Sequence, residues 1–327
     1  MPLVTSCEIN RTYIKAKLDV DVAIAKLTAN AQVGNVKSQT LLGEYLYRQK
    51  RDYKKAIKWL TKAETNGSEM ARMYLLDYYK EYNKSFPILK RIAESGNPMA
   101  QEYLGNYYYE GLGIEQSYES AVKWFAAAAM QGNEIAQNSI GDCYKRGKGV
   151  EQSYEHAWRW YATAAEKGYA VAQRNLGYCY EKGRGVKQSQ EKAVVLFAKA
   201  AGKGYVVALC DLGCCYEKGI GVKKNYKKAI EWYSKAVNQE YEIAQYCLGC
   251  CYEKGLGVKQ SYEKAVELYT KSAEHGYEMA QYILGCCFEN GLGVEQSSEK
   301  AVEWYLASAK QGNEMAQCKL SDAIREV

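Results

Sequence analysis

Ala280-Gln-Tyr-Ile-Leu-Gly-Cys-Cys-Phe-Glu-Asn-Gly-Leu-Gly-Val294 is one copy of a phrase that the chain writes repeatedly. Ala100, Ala136, Ala172, Ala208, Ala244, Ala280 and Ala316 stand 36 residues apart, as do Gly105, Gly141, Gly177, Gly213, Gly249 and Gly285. A fixed period of this length means an array of stacked supersecondary units. Within residues 136–166, Ala136, Ile140 and Tyr144 fall on one helical face. Gly141 sits beside them. A glycine inside a helix is unfavourable by about 1 kcal/mol relative to alanine, so its recurrence predicts a close approach by a second helix. Gly147 and Gly149 then predict a turn with positive φ. Ser153 is a helix N-cap, with Glu155 in the first turn. Ala157, Tyr161, Ala164 and Ala165 mark a second amphipathic helix, which Gly168 ends.

Each unit therefore reads as helix A, a glycine turn, helix B and a glycine stop. One pair cannot bury its apolar stripe alone, and stacked neighbours can. The expected fold is all-α: a solenoid of antiparallel helix pairs.

The pattern A-Q-x-x-L-G-x-x-Y-x-x-G-x-G-V followed by S-Y-E-K-A-V resembles the Sel-1-like repeat, a relative of the tetratricopeptide repeat. It is spelled by Ala244-Gln245, Leu248-Gly249, Tyr252, Gly255, Gly257-Val258 and then Ser261 through Gly276. The resemblance runs from about Ser38 to the last residue. It implies a right-handed superhelix, an adaptor or scaffold role in protein complexes, and no catalysis by the repeats.

The array divides as follows. Residues 1–37 lack the full pattern and read as a degenerate N-terminal helical cap, with helix expected over about Arg11–Gln32. Residues 38–70 form a short repeat. Residues 71–99 form a truncated one, whose second helix opens at Ser85-Phe-Pro87 and which is expected to bend the array locally. Residues 100–315 carry six regular periods. Residues 316–327 form a C-terminal half-repeat with Ser321 at the packing-glycine position. One stop glycine is missing: Glu240 stands where Gly132, Gly168, Gly204, Gly276 and Gly312 end their helices. That turn is expected to close differently, at Asn238.

The net charge of +6 comes from 44 basic and 38 acidic residues that are mostly interspersed, which argues against a nucleic-acid footprint. The densest basic stretch, Arg48 to Lys58, is either a solvated helix or a contact for acidic protein, phospholipid or RNA. The 31 tyrosines against 4 phenylalanines suggest rings half-buried between repeats with wet hydroxyls. The first residues turn polar too soon for a signal peptide. No run of about 18 apolar residues marks a membrane span.

Cysteines recur in helix A. Cys143, Cys179, Cys215, Cys251 and Cys287 precede the helix-A Tyr or Phe, and Cys214, Cys250 and Cys286 lie one place earlier. Cys7, Cys210, Cys247 and Cys318 complete the set. Neighbouring helix axes lie about 8–10 Å apart, and a disulfide needs Cα atoms within about 7 Å. The first reading is therefore small buried hydrophobes, with a cross-repeat bridge through Cys210 or Cys247 left open. No finger-type spacing suggests zinc. Disulfide-stapled members of the resembled family carry both cysteines within one helical pair. Helix B has none here, which favours a reducing, cytoplasmic setting.

His156 and His275 occupy different repeat positions and read as surface residues. The G-x-G-V turns lack a preceding strand and a following G-K-[ST], so they are turns rather than phosphate loops. No catalytic, cofactor-binding or metal-binding residues are assigned, and no enzyme is expected.

In the resembled family helix A lines the concave face. Its exposed positions are expected two, six and nine residues after the repeat alanine. The first row is Glu102, Asn138, Arg174, Cys210, Tyr246, Tyr282; the second is Asn106, Asp142, Tyr178, Cys214, Cys250, Cys286; the third is Tyr109, Lys145, Glu181, Glu217, Glu253, Glu289. Glu102, Asn106, Asn138, Asp142, Arg174, Tyr178, Tyr246 and Tyr282 are the expected protein-binding residues, with the two last tyrosines as anchors. The expected function is a monomeric, non-catalytic scaffold or adaptor for a peptide or protein partner, in signalling or complex assembly. The alternatives are a regulatory subunit of membrane-associated degradation or cell-wall machinery and, further off, a repeat-fold hydrolase.

Overall fold

The computed structural model describes residues 22–65, 68, 70, 71, 74, 75, 86–112 and 114–325. Every regular element among them is a helix. The chain divides into two compact units, residues 1–136 with 148–150 and residues 137–147 with 151–327.

In the first unit, residues 22–32 are helical. Helix Val36–Arg48 follows and packs against Tyr53–Thr65. Residues 11–21 of the expected cap, and Ser85 with most of the expected bend, lie outside the described residues. Phe86–Glu94 is the truncated second helix, with Pro87 in its first turn, where a missing N–H leaves no intrahelical partner unbonded. Pro98–Glu110 and Tyr118–Met130 complete the first regular pair. Their neighbours bury Leu60, Leu75, Leu89, Leu104 and Tyr107 in one core.

The second unit contains helices Tyr154–Glu166, Ala170–Lys182, Gln190–Gly202, Val206–Lys218, Tyr226–Val237, Glu242–Lys254, Tyr262–Glu274, Glu278–Asn290, Ser298–Lys310 and Glu314–Arg325, after the larger part of Glu134–Arg146. Consecutive helices pack in antiparallel pairs, and each pair packs on the next. One cluster joins Phe197, Leu209, Leu212, Tyr233 and Leu248 across three successive units. Burying a large side chain of this kind stabilises the fold by about 1.5–3 kcal/mol, so the stack holds itself through its seams.

The helix-A glycine meets the helix-B aromatic twenty positions later. A Cβ on Gly141 would lie 2.5 Å from Cε1 of Tyr161, so the ring occupies the space alanine would need. The second loop glycine serves a different contact. A Cβ on Gly185 would lie 2.1 Å from the carbonyl oxygen of Tyr154, in the first turn of the preceding helix B. This loop thus seats backbone on backbone, and only glycine permits it at φ 72°.

The caps differ along the array. Ser153, Ser189, Ser261 and Ser297 accept backbone N–H bonds at the start of helix B. Asn97, Asn133 and Asn313 do so for helix A, whereas Tyr169, Tyr205, Tyr241 and Tyr277 make no side-chain cap. Buried glutamines of the A-Q pair donate to a carbonyl at the end of the preceding helix B, as Gln101 to Ala93 at 3.1 Å and Gln281 to Ala273 at 3.1 Å. This satisfies a helix-end carbonyl that has no intrahelical partner.

The turn at Glu240 corrects the expectation. Asn238 remains right-handed, and Glu240 itself takes the left-handed φ of 58°. The Tyr241 N–H reaches the Ala236 carbonyl at 3.3 Å, as the Tyr205 N–H reaches Ala200 at 3.2 Å. The surrounding turn is preserved, so the residue adopts the glycine conformation despite its Cβ.

Candidate functional site

In the first unit, Glu102 is 3% exposed and bonded to the Asn106 amide one turn on. It was expected to face solvent and does not. Tyr109 packs edge-on to Tyr118 at 5.2 Å, and the Lys148 ammonium stands over both rings while donating to the Tyr118 hydroxyl at 2.9 Å.

In the second unit the expected rows are tied together by residues at the third position, which sequence reading missed. Asn138, 7% exposed, donates to Asp142 at 3.2 Å and accepts from Asn175 of the next helix A at 2.9 Å. One period on, Arg174 donates to Asp211 at 2.5 Å, and the Tyr178 hydroxyl donates to the same carboxylate at 2.8 Å. The next place in that ladder holds Cys210, also buried, whose thiol meets that of Cys247. The spacing of 37 between each pair was the available signal. It follows from stacking a side chain at position two against the following helix at position three. Burial works against the Arg174 charge, but the bond to Asp211 and its negative charge outweigh it, so the guanidinium titrates above its ordinary value. Burial and the neighbouring Asp211 carboxylate raise the Tyr178 phenol likewise.

The third row anchors the core tyrosines. Tyr233 donates to Glu217 at 2.6 Å, Tyr269 to Glu253 at 2.9 Å and Tyr305 to Glu289 at 2.9 Å. Tyr161 donates instead to Asp142 at 2.7 Å. These rings are buried, and their hydroxyls end on carboxylates rather than in water. Tyr246 and Tyr282 are half-buried and lean on Tyr269 and Tyr305 with ring centroids 5.8 and 5.9 Å apart.

Cys143, Cys179, Cys215, Cys251 and Cys287 are buried in helix A, Cys214, Cys250 and Cys286 are half-buried, and Cys318 is exposed. Cys7 lies outside the described residues. Burial pushes the Cys179 thiol up to about 11 and those of Cys215, Cys251 and Cys287 up to about 12. They behave as small apolar side chains. His156 and His275 are exposed; the first stacks on Tyr144 and the second lies 3.3 Å from the Gln245 amide oxygen. Among the described residues no cluster of His, Cys, Asp or Glu has the arrangement of a metal site. Nor is any described helix long and apolar enough to cross a membrane.

The Sel1 repeat matches residues 36–68, 98–133, 135–169, 170–205, 206–241, 243–277 and 278–313. No curated protein matches the chain. Among solved structures, it is similar to c5321, a protective antigen of uropathogenic Escherichia coli with an SLR fold, at 34% identity and a TM-score of 0.67, over 93% of this chain and 68% of that one. It is also similar to a Sel1 repeat protein from Oxalobacter formigenes at 30% identity and a TM-score of 0.65, over 91% of this chain and 89% of that one. Repeats of this kind generally mediate protein–protein interaction, and their fold is typically a non-catalytic scaffold. The matched segments cover most of the sequence, and the helix pairs fall where they do: the chain belongs to the Sel1 repeat family.

Proposed function

We propose that the chain is a non-catalytic scaffold that holds a peptide or protein partner on the helix-A surface and helps assemble a complex. The observation that carries this reading is the contrast within helix A. Frame residues such as Ala172, Leu176 and Gly177 are buried and recur in the regular units, with Ile140 for the leucine in one. Positions two and six vary from unit to unit, and in the second unit Asp142, Arg174, Tyr178, Tyr246 and Tyr282 remain half-exposed. Tyrosine and arginine at such places combine large contact area with a polar tip. In the first unit Asn106 is the half-buried partner of buried Glu102, which holds the amide rather than meeting the ligand. A cytoplasmic monomer in a signalling or assembly role fits the thiol-lined helices.

The test is capture of partners under reducing conditions by the native chain and by a Tyr246→Ala/Tyr282→Ala/Arg174→Ala variant of unchanged helicity by circular dichroism. Loss of a specific protein by the variant supports the reading. Equal capture moves the contact to another surface.

A further inference from the structure

The array is so regular that its departures can be mapped. Position nine of helix A is Glu181, Glu217, Glu253 and Glu289 in four successive units, but Lys145 in the one before them. Position two is a cation only at Arg174. Position twelve, in the glycine loop, is Leu112, Ile220, Leu256 and Leu292 in four units, but Lys148 and Arg184 in the other two. Lys145, Arg174 and Arg184 come from three different repeat positions in two adjacent units. In the structure all three line one cavity of about 300 Å³ in the second unit, together with Lys182, Tyr154 and Tyr178.

No aspartate or glutamate lines this cavity. Arg174 is held by Asp211, and Lys182 lies 2.7 Å from Glu181. Lys145 reaches Asp142 only at 3.8 Å. Arg184 is exposed and lies over the Tyr154 ring at 5.4 Å from its centroid. The wall is thus cationic with aromatic flanks, and Lys145 and Arg184 are its weakly engaged cations. Lys145 and Arg184 stand where most other units carry a glutamate or an aliphatic side chain, so this place lacks the carboxylate and the aliphatic surface found there.

We propose that this cavity is the docking site for an acidic segment of a partner protein, whose side-chain carboxylates meet Lys145 and Arg184 while their methylene stems lie against Tyr154 and Tyr178. The proposal rests on the scaffold reading above and names the chemistry of the partner. An extended segment suits the site better than a single anion. Arg174 and Lys182 stand eight residues apart on one helix, which is about 12 Å of axial rise, so one small anion does not reach the full set at the backbone positions from which the cations project. Charge pairs of this kind set register and association rate more than raw affinity.

The probe is a fluorescein-labelled oligoglutamate peptide, read by fluorescence anisotropy on the full chain at low salt. Lys145→Glu installs the residue that four other units carry at position nine, and Arg184→Leu installs the residue that three other units carry at position twelve. Both substitutions are therefore already compatible with the repeat. Each is expected to weaken peptide binding about tenfold, whereas Lys310→Glu, the same charge change on exposed helix surface, leaves it within error. Wild-type protein that does not bind the peptide overturns the proposal. So does equal binding by Lys145→Glu, or displacement of the peptide by inorganic phosphate, ATP or single-stranded RNA at lower concentration than by unlabelled oligoglutamate. Failure here, with partner capture still lost in the Tyr246/Tyr282/Arg174 variant, removes the acidic-segment assignment and leaves the scaffold reading standing. Equal partner capture by that variant together with failure here removes both readings.

Discussion

Gly213 and Tyr233 occupy complementary space: a Cβ on the glycine would lie 2.5 Å from Cε1 of the tyrosine ring, which is fully buried. The same relation joins Gly105 to Phe125, Gly177 to Phe197 and Gly285 to Tyr305. It sets how closely helix A and helix B approach in each regular unit.

Gly213→Ala is therefore expected to destabilise the fold by about 1–3 kcal/mol, because a ring in a packed core must move to admit one methyl. Gly202 provides the contrast. It ends a helix with nothing within 4 Å of its would-be Cβ. Gly202→Ala is expected to stabilise by up to about 1 kcal/mol through helix propensity. Opposite shifts of the urea midpoint check the pair. A Gly213→Ala protein as stable as wild type contradicts the space-filling account.

Glu240 holds a left-handed backbone where its counterparts are glycine. That conformation is unfavourable for a residue with Cβ by about 1–2 kcal/mol. Glu240→Gly is expected to recover about 1 kcal/mol, less the entropy glycine gains in the unfolded chain. A thermal midpoint that rises supports this, and one that falls shows that the Glu240 side chain contributes more than its backbone strain removes.

Stability is expected to fall at alkaline pH. Burial raises the thiols of Cys215, Cys251 and Cys287 from 9.0 to about 12. It also raises the Tyr269 phenol, helped by Cys250 and Glu253. Above the unfolded values the unfolded chain releases these protons and the folded chain retains them. The stabilisation present below pH 9 is thus lost progressively as pH rises toward the folded values, by about 1.4 kcal/mol per pH unit for each group fully released only on unfolding. Urea midpoints measured from neutral pH to about pH 10.5 read the slope. A flat profile contradicts the buried, protonated assignment.

The period, the two helices per unit and the role of the helix-A glycine were legible because each is written at a fixed spacing. The Glu240 turn was not. Asn238 has the better intrinsic preference for left-handed backbone, but the bond from Tyr241 to the Ala236 carbonyl fixes the turn length and leaves the positive φ at Glu240. Exposure of the helix-A rows was read only in part. Cβ direction within one helix places Asn138 and Cys210 outward, but the next helix A stacks over position two there and covers it, as Asn175 covers Asn138. That contact depends on inter-repeat rotation, which no single unit encodes. The wet hydroxyls expected of the tyrosines were misread at Tyr233 and Tyr269 for a different reason: their glutamate partners lie on helix A of the same unit, 16 residues earlier, at a spacing the sequence reading did not pair.

The Arg174–Asp211 pair gives the sharpest test of how that inter-repeat contact works. Its side chains are 24% and 15% exposed, and Tyr178 shares the carboxylate. Removing one partner leaves the other partly buried and uncompensated, so Arg174→Ala and Asp211→Ala are each expected to destabilise by about 2–3 kcal/mol, with part of this offset by residual solvent access. Removing both leaves no orphan charge, and the double variant is expected to lose less than the sum of the single losses. The interaction energy from the double-mutant cycle is expected at about 1–2 kcal/mol in unfolding free energy. Strict additivity would mean that the ladder reflects proximity alone. Coupling of the expected size would mean that adjacent units are registered by polar contacts at positions that vary along the array, so a change chosen to alter partner binding at Arg174 also alters how its unit grips the next. Partner-capture experiments on Arg174 variants therefore need the Asp211→Ala double variant beside them: capture lost in the single and recovered in the double is a stability effect, and capture lost in both, with folding intact, belongs to the binding surface.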